Sequence, residues 1–341
     1  MGLWTSLFGT PWQRRGPVAI YAPVLPHVLA LCLRHRMGPR ALLRVNPALT
    51  YGGATIDSKI ERYRLFRDAA FAMPTIALPA GATPQDIAAA LAEAAIDFPV
   101  VVKPDLGFMS RGIHRAEGLE ALHGLLALGQ GDYVVQPFIA DQTEFSIFHY
   151  RLPGEARGRL LDVTERVLPR VVGDGWHSVE ALIDRQPVWR HAAATVKARC
   201  PAALLASVPA PGEPCQLAIS ASGAQGALFV DRRDLISEPL NDYMDAQTRV
   251  PGFHLGKFDF KVPSETHLRE GRDLQLMEVN GVSSELNYLF DLATSYRDAR
   301  AAIREQFSIL FEIAARNRTA PLPPLGDVVR RFRVVLSQDY A

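Results

Sequence analysis

Residues 256–280 carry acid groups where a buried strand should have none. The stretch opens Gly256-Lys257-Phe258-Asp259-Phe260-Lys261-Val262 and closes Leu274-Gln275-Leu276-Met277-Glu278-Val279-Asn280. The polar link between them, residues 263–273, has no apolar periodicity, which predicts two antiparallel strands joined by a longer hairpin loop. A hairpin centred on that loop sets Asp259 opposite Glu278. Side chains alternate faces along a strand, so Asn280 shares a face with Glu278, while Phe260, Met277 and Val279 point to the other face and pack there. Two carboxylates that close repel each other unless a cation or a proton lies between them. Hard oxygen ligands without His or Cys suit Mg²⁺, which takes one or two carboxylates and fills its shell with water and phosphate oxygens. The alternative is a pair of solvated carboxylates on an exposed sheet face.

A second candidate constellation lies upstream. Phe98-Pro99-Val100-Val101-Val102-Lys103-Pro104 reads as an apolar strand ending in a lysine, followed by the loop Asp105-Leu106-Gly107-Phe108-Met109-Ser110-Arg111-Gly112 and a returning strand over 113–116. This is not a Walker A arrangement, because no Gly-Lys-Ser/Thr and no helix N-terminus follow the loop. A glycine and serine loop closing a hairpin can instead lay its N–H groups on phosphate oxygens, with Lys103 as a point charge, or it is an ordinary hairpin loop. A further apolar strand, residues 132–139, turns polar before Glu144. Backbone groups freed at such a bend can read a purine edge, and Glu144 can hold a ribose hydroxyl pair or stand as a solvated turn residue.

These groups need positioning elements. Residues 17–50 are expected to hold one strand, a helix around Leu25 to His35 and a turn at Asn46-Pro47. A helix capped by Ser58 should run through Phe66 towards Phe71, and Pro74 ends it. Residues 75–80 read as a strand and 84–96 as a helix with Pro84 near its first turn. Strands are expected at 145–149, 160–168, 215–219 and 226–231. Val171-Val172-Gly173-Asp174-Gly175 reads as a tight turn, with a Ser178-capped helix to Ile183. Residues 186–211 read as irregular. Residues 243–249 read as part of a helix, and a long amphipathic helix runs from Ser295 through Arg316 with Ile303, Phe307, Leu310, Phe311 and Ala314 on one stripe. Residues 321–324 read as a linker and the remainder as a basic and apolar tail.

Composition bounds the reading. The chain has 341 residues, 48% hydrophobic and 21% charged, enough to bury a large core in two or three lobes. A net charge of +1 implies no nucleic-acid partner. Three cysteines (Cys32, Cys200 and Cys215) without metal-type spacing suit a reduced, cytoplasmic compartment. Residues 1–17 lack the apolar core of a signal peptide, and the loose myristoylation pattern at Met1-Gly2 with Ser6 matches by chance often. The apolar run at 18–33, interrupted by Pro23, Pro26 and His27, is too short to span a membrane.

Taken in order, Lys59, Val101-Val102-Lys103-Pro104 with its glycine loop, Gln136-Pro137-Phe138-Ile139 with Glu144, and Asp259 with Glu278-Val279-Asn280 resemble the ATP-grasp superfamily. The likeness covers about residues 57–315 and is greatest to the D-alanine–D-alanine ligase-like carboxylate–amine ligases. The segment from Val172-Gly173-Asp174-Gly175 to Ile183 is similar to the same region of cyanophycin synthetase-type ligases. The resemblance implies an α+β fold of two lobes gripping ATP: a shortened N-terminal subdomain (1–56), a small lobe with the glycine-rich loop (57–145), a large lobe with the metal hairpin (146–318) and a tail (319–341). It implies that Lys59 and Lys103 contact nucleotide phosphates under a mobile loop containing Gly107, Ser110 and Gly112. Gln136, Phe138 and Ile139 would lie at the adenine, Gln136 accepting from its amino group and Ile139 offering backbone, and Glu144 would hold the ribose. Asp259, Glu278 and Asn280 would bind one or two Mg²⁺ ions. Lys103, Arg170 and Lys257 would be the charges near the transferred phosphate. The implied activity is ATP-dependent joining of a small-molecule carboxylate to an amine; a kinase and a nucleotide-binding regulatory module are the rivals. Two departures leave the substrate face undefined: only about 55 residues precede Lys59, and Pro137 stands where lysine is frequent. A low N-terminal wall suits a larger acid, a peptide end, a homodimer or a partner protein on the apolar segment at 19–33.

Overall fold

The computed structural model describes residues 12, 20–54, 56–107, 111–140, 142–189, 192–219, 221, 223 and 226–337. Its first elements are a 3₁₀ turn at Ala22–Val24, a helix at Leu25–His35 and a 3₁₀ stretch at Pro39–Arg44, with no strand among the described residues before Ile76. The helix packs on the long helix Tyr296–Arg316. Val24 and Val45 share a buried cluster with Ile303, Leu310 and Ile313, Val28 packs against it, and His27 Nε2 lies 3.0 Å from Ser308 Oγ. Its outer stripe, Leu25, Leu29 and Leu33, stays exposed.

A helix at Lys59–Leu65 follows, with the Ser58 hydroxyl accepting from the Glu61 N–H as its cap. Then come β1 (Ile76–Pro79), a helix at Pro84–Glu93, β2 (Val100–Pro104), β3 (His114–Ala116), a helix at Leu119–Leu128 and β4 (Asp132–Pro137). These strands form an antiparallel sheet in the order β1-β4-β2-β3. Thr83 and Asp86 close a capping box at the first of the two helices. Ile87, Leu91, Leu122 and Leu126 bury their stripes against Val100, Val102 and Val135.

The second sheet holds β5 (Thr143–Tyr150) and β6 (Arg159–Val167). A separate ribbon, β7 (Arg170–Val172) with β8 (Pro214–Gln216), intervenes before β9 (Leu228–Asp231), β10 (Leu255–Val262) and β11 (Gln275–Asn280). The sheet order is β11-β10-β5-β6-β9, antiparallel throughout. Period-two alternation divides its faces. Phe145, Ile147, Val163, Phe258, Phe260, Leu276 and Val279 pack on one side with Tyr63, Phe66, Phe71, Leu240 and Met244. That packing sets residues 59–71 against this larger sheet, whereas the sequence boundary at 57 groups them with the small one. The α+β expectation of two lobes, each built on its own sheet, matches the architecture.

Four local expectations change. The link at 263–273 contains a helix, Glu265–Glu270, capped by Ser264 and ended by Gly271 in the left-handed region (φ 64°). It forms because Leu268 finds a buried site that a pattern within the loop alone does not reveal. Residues 186–211 contain short helices at Pro187–Trp189, Ala193–Lys197 and Ala202–Ala206. The helix expected at 243–249 spans Glu238–Gln247. The tail is helical over Leu325–Ser337, and Arg331 Nε donates to the Ile56 carbonyl (3.1 Å). The expectations for residues 1–11 and 13–19 lie outside the described residues, and among the described residues no helix is long and apolar enough to cross a membrane.

The N-terminal segment also fixes the loop that follows Asn280. Buried Asn46 donates to the carbonyls of Gly52 and Leu255 and accepts from the N–H groups of His254 and Leu255. The Gly281 N–H donates to the Gly53 carbonyl (3.1 Å). A Cβ at Gly281 would lie 2.6 Å from Gly53 Cα, so two backbones meet there as only glycines allow.

Candidate functional site

The second face of the five-stranded sheet is polar. One register row runs Glu278, Asp259, Ser146, Thr164, Asp231 across all five strands. The neighbouring rows run Asn280, Lys257, Phe148, Asp162 and Lys261, Glu144, Arg166, Phe229. Registered residues share a face, so the acids and bases of four distant segments gather on one floor. A cavity of about 720 Å³ lies over it, lined among others by Lys59, Arg62, Lys103, Gly107, Arg111, Arg166, Lys257, Asp259, Glu278 and Asn280. The expected pairing of Asp259 with Glu278 is the observed one.

A bulge after Asp259 alters the neighbouring residues. Phe260 pairs with Leu276, which leaves Met277 unmatched, and Leu276 rather than Met277 enters the core. The freed Met277 carbonyl accepts from the Lys103 ammonium (2.9 Å) and from the Tyr63 hydroxyl. Bulges beside sites commonly redirect groups in this way.

Lys103 stands at the end of β2 and joins the two lobes, because its ammonium also donates to Gln136 Oε1 on β4 (2.8 Å). That amide oxygen is the one offered to an adenine amino group by the sequence reading, and here Lys103 holds it; Gln136 Nε2 donates to Thr75 Oγ1. Lys59, in the first turn of its helix, donates to the Gly107 carbonyl (2.9 Å) and so ties the glycine loop to the larger sheet. Burial lowers the pKa of both lysines, partly offset by Glu278, and Lys59 falls to about 8.

Asp259 is almost fully buried and ion-paired with Arg166 (2.6 Å), and Ser146 Oγ donates to its other oxygen. Ser146 in turn accepts from Asn287 Nδ2 (2.7 Å). Burial pushes the Asp259 carboxyl up, but Arg166, then Lys257, the Ser146 hydroxyl and Lys103 together hold it below its ordinary value. Asn280 Oδ1 accepts from Arg62 (2.8 Å), which also donates to the Val279 carbonyl. Lys257 Nζ lies 3.4 Å from Asn287 Oδ1. The Glu278 side chain makes no hydrogen bond or ion pair among the described residues, although it lies within electrostatic reach of Lys59, Lys103 and Arg166.

Other residues named from the sequence lie apart from this lining. Arg170 is exposed on β7, in the separate ribbon, and Arg166, near the end of β6, occupies the floor position instead. Glu144 is buried and ion-paired with Lys261 (3.3 Å). The Phe138 N–H donates to the Pro99 carbonyl, and Arg115 lies over the Phe138 ring (4.2 Å). Phe138, Ile139, Gly112 and Gln136 are not among the residues lining the cavity. Ser110 lies outside the described residues. Arg166 and Arg62 are the site residues missed by sequence reasoning. Each had a signal: Asp162, Thr164 and Arg166 alternate along one strand, and Arg62 follows Lys59 at the i+3 helix spacing.

Solved structures similar to this chain include a D-alanine–D-alanine ligase from Bacillus anthracis (TM-score 0.44, 16% identity, 80% of this chain and 70% of that one). A bifunctional glutathione synthetase from Pasteurella multocida gives a TM-score of 0.37 at 19% identity, over 73% of this chain and 36% of that one. A D-alanine–D-alanine ligase from Helicobacter pylori gives 0.35 at 17%, over 72% and 57%. The chain thus spans about a third of the length of the glutathione synthetase it matches. No protein-family model matches the sequence, and no curated protein does.

Proposed function

We propose that this chain is an ATP-dependent ligase that joins a carboxylate to an amine through an acyl phosphate. The observation that carries this reading is the cavity floor. Asp259, Glu278 and Asn280 stand side by side in a cavity that six cationic side chains also line, and the Glu278 side chain has no hydrogen-bond or ion-pair partner among the described residues. The excess of cations over carboxylates favours a polyanion, and the oxygen donors suit a hard cation. Mg²⁺ would be held first by Glu278, with Asp259 and the Asn280 amide oxygen joining it in exchange for their contacts to Ser146 and Arg62, and would offset charge on the triphosphate during in-line transfer.

The chain's own groups do the rest. Lys59, Lys103 and Arg166 donate to phosphate oxygens around Glu278. Lys257 lies one register row away, beside Asn287, where a substrate carboxylate can be held for phosphorylation. Lys103 now links Gln136 to Met277 across the lobes, so a triphosphate entering between them competes for that ammonium and changes what holds the lobes together. Closure keeps water from the acyl phosphate until the amine attacks and phosphate leaves.

Hydroxylamine trapping tests the reading. The protein is incubated with Mg²⁺, ATP and pooled amino acids, hydroxy acids and dipeptides. ADP and hydroxamate should form in equal amounts. ADP without hydroxamate would indicate a kinase acting on a hydroxyl, and the absence of both would leave a nucleotide-binding module.

A pH dependence follows from Lys59. Its folded value of about 8 lies below the ordinary 10.5. Between these values the unfolded chain binds more protons, so burying Lys59 costs stability below about 8, and the cost fades as pH rises towards 10.5. Binding runs the opposite way, since phosphate needs the charged form. Affinity for Mg²⁺ with a non-hydrolysable ATP analogue is expected to fall as pH rises through about 8. In Lys59→Arg, whose guanidinium stays charged, the profile should flatten. Calorimetric titration across this range checks both, and a flat wild-type profile would remove Lys59 from the phosphate site.

A further inference from the structure

Four carboxylates line the cavity among the described residues: Asp259, Glu278, Glu285 and Asp291. Asp259 is held by Arg166 and Ser146. Asp291 accepts the Asp231 N–H (2.7 Å) on one oxygen and the Ala293 N–H (2.8 Å) on the other. Glu278 belongs to the proposed metal set. Glu285 differs from all three. Its Oε1 accepts from the Tyr21 hydroxyl, and its Oε2 has no partner among the described residues.

The geometry of this pair is held from several sides. Tyr21 lies between Ile20 and Val24, which are buried with Leu286 and Ile303. Gln306 Nε2 donates to the Ser284 carbonyl (2.6 Å), and the Gly52 and Gly53 carbonyls hold Val282 and Gly281. Burial, and then the adjacent Glu285 charge, push the Tyr21 phenol far above its ordinary value, so it remains a donor and Glu285 remains the acceptor. A carboxylate that lines a cavity with one oxygen tethered, and with no partner for the other among the described residues, is preorganised for a cationic hydrogen-bond donor. An incoming ammonium that paired with Asp259 or Asp291 would have to break contacts within the protein; one that paired with Glu285 would not.

We propose that Glu285 recognises the ammonium group of the amine substrate, and that Tyr21 is its positioning residue. This rests on the ligase reading of the same cavity. It gives the N-terminal segment a role on the acceptor side, and it makes the amine substrate one that arrives as a cation.

The test uses n-butylammonium and its neutral isostere n-butanol. Each is titrated by saturation-transfer NMR into the full chain saturated with Mg²⁺ and a non-hydrolysable ATP analogue. The wild type should prefer the ammonium by about tenfold or more, the scale of one hydrogen bond to a charged group. Glu285→Gln keeps the shape and the acceptor for Tyr21 but removes the charge, and the preference should vanish. Tyr21→Phe should retain only part of it. Circular dichroism checks that each variant is folded. An undiminished preference in Glu285→Gln overturns the proposal, as does the absence of a preference in the wild type. Hydroxamate formation by the wild type judges the ligase reading separately. Trapping without ammonium preference rejects the Glu285 assignment alone, and ammonium preference without trapping rejects the ligase reading alone.

Discussion

Glu278→Gln should lower ATP turnover on the order of a thousandfold, the loss expected when one group aimed at transition-state charge is removed. Of the acids on the cavity floor, Glu278 is the one whose side chain has no hydrogen-bond or ion-pair partner among the described residues, so its charge is available to a cation. The same fact limits the structural cost. No hydrogen bond is lost, and stability should change by less than about 1 kcal/mol. Affinity for the nucleotide should fall much less than turnover, because the lysines that line the cavity, proposed to meet the phosphates, remain. Steady-state ADP release, analogue binding and thermal melting separate the three quantities. Turnover near the wild-type rate would place the metal elsewhere.

Asp259→Asn should act on stability first. The Asp259 and Arg166 side chains are 2% and 11% exposed and lie 2.6 Å apart, so the variant leaves a buried guanidinium without its counter-charge. The expected cost is about 3–5 kcal/mol, read by urea denaturation. Pairing that change with Arg166→Met should recover much of the loss, because removing both charges removes the penalty of burying one alone. The double variant should remain inactive. Because the folded Asp259 carboxyl is held below its ordinary value, its stabilisation is present above the unfolded pKa and is lost as pH falls through the lower, folded value. The single variant should therefore show a shallower acid limb than the wild type. A single variant as stable as the wild type would mean that Arg166 finds another partner, and the floor would not depend on this pair.

The two outcomes separate roles that look equivalent in sequence. Asp259 and Glu278 occupy one register row, yet one is bound within the protein and the other is not. Their pairing was legible because alternation along a strand has period two, and centring the hairpin on the link at 263–273 sets which residues face each other. Ser58 and Ser178 were legible as helix caps, and Ser295 as a helix start, for a similar reason: a cap is a contact between residues three apart.

Contacts across the fold were decided only in three dimensions. The pairing of Arg166 with Asp259 depends on β5 lying between β6 and β10, an order that no local pattern encodes. Arg170 is in the separate ribbon because the chain leaves the large sheet after Val167. Lys103 reaches Met277 only because a bulge frees that carbonyl. Tyr21 meets Glu285 across 264 residues because helix Tyr296–Arg316 supplies the surface on which the N-terminal segment packs. Sequence by itself determined the strands of the two larger sheets, the helix caps and which acids share a face, since those follow from backbone periodicity and local hydrogen bonding. Tertiary structure decided which of those acids are neutralised from within and which remain open to a ligand, because that depends on charges brought together from distant segments.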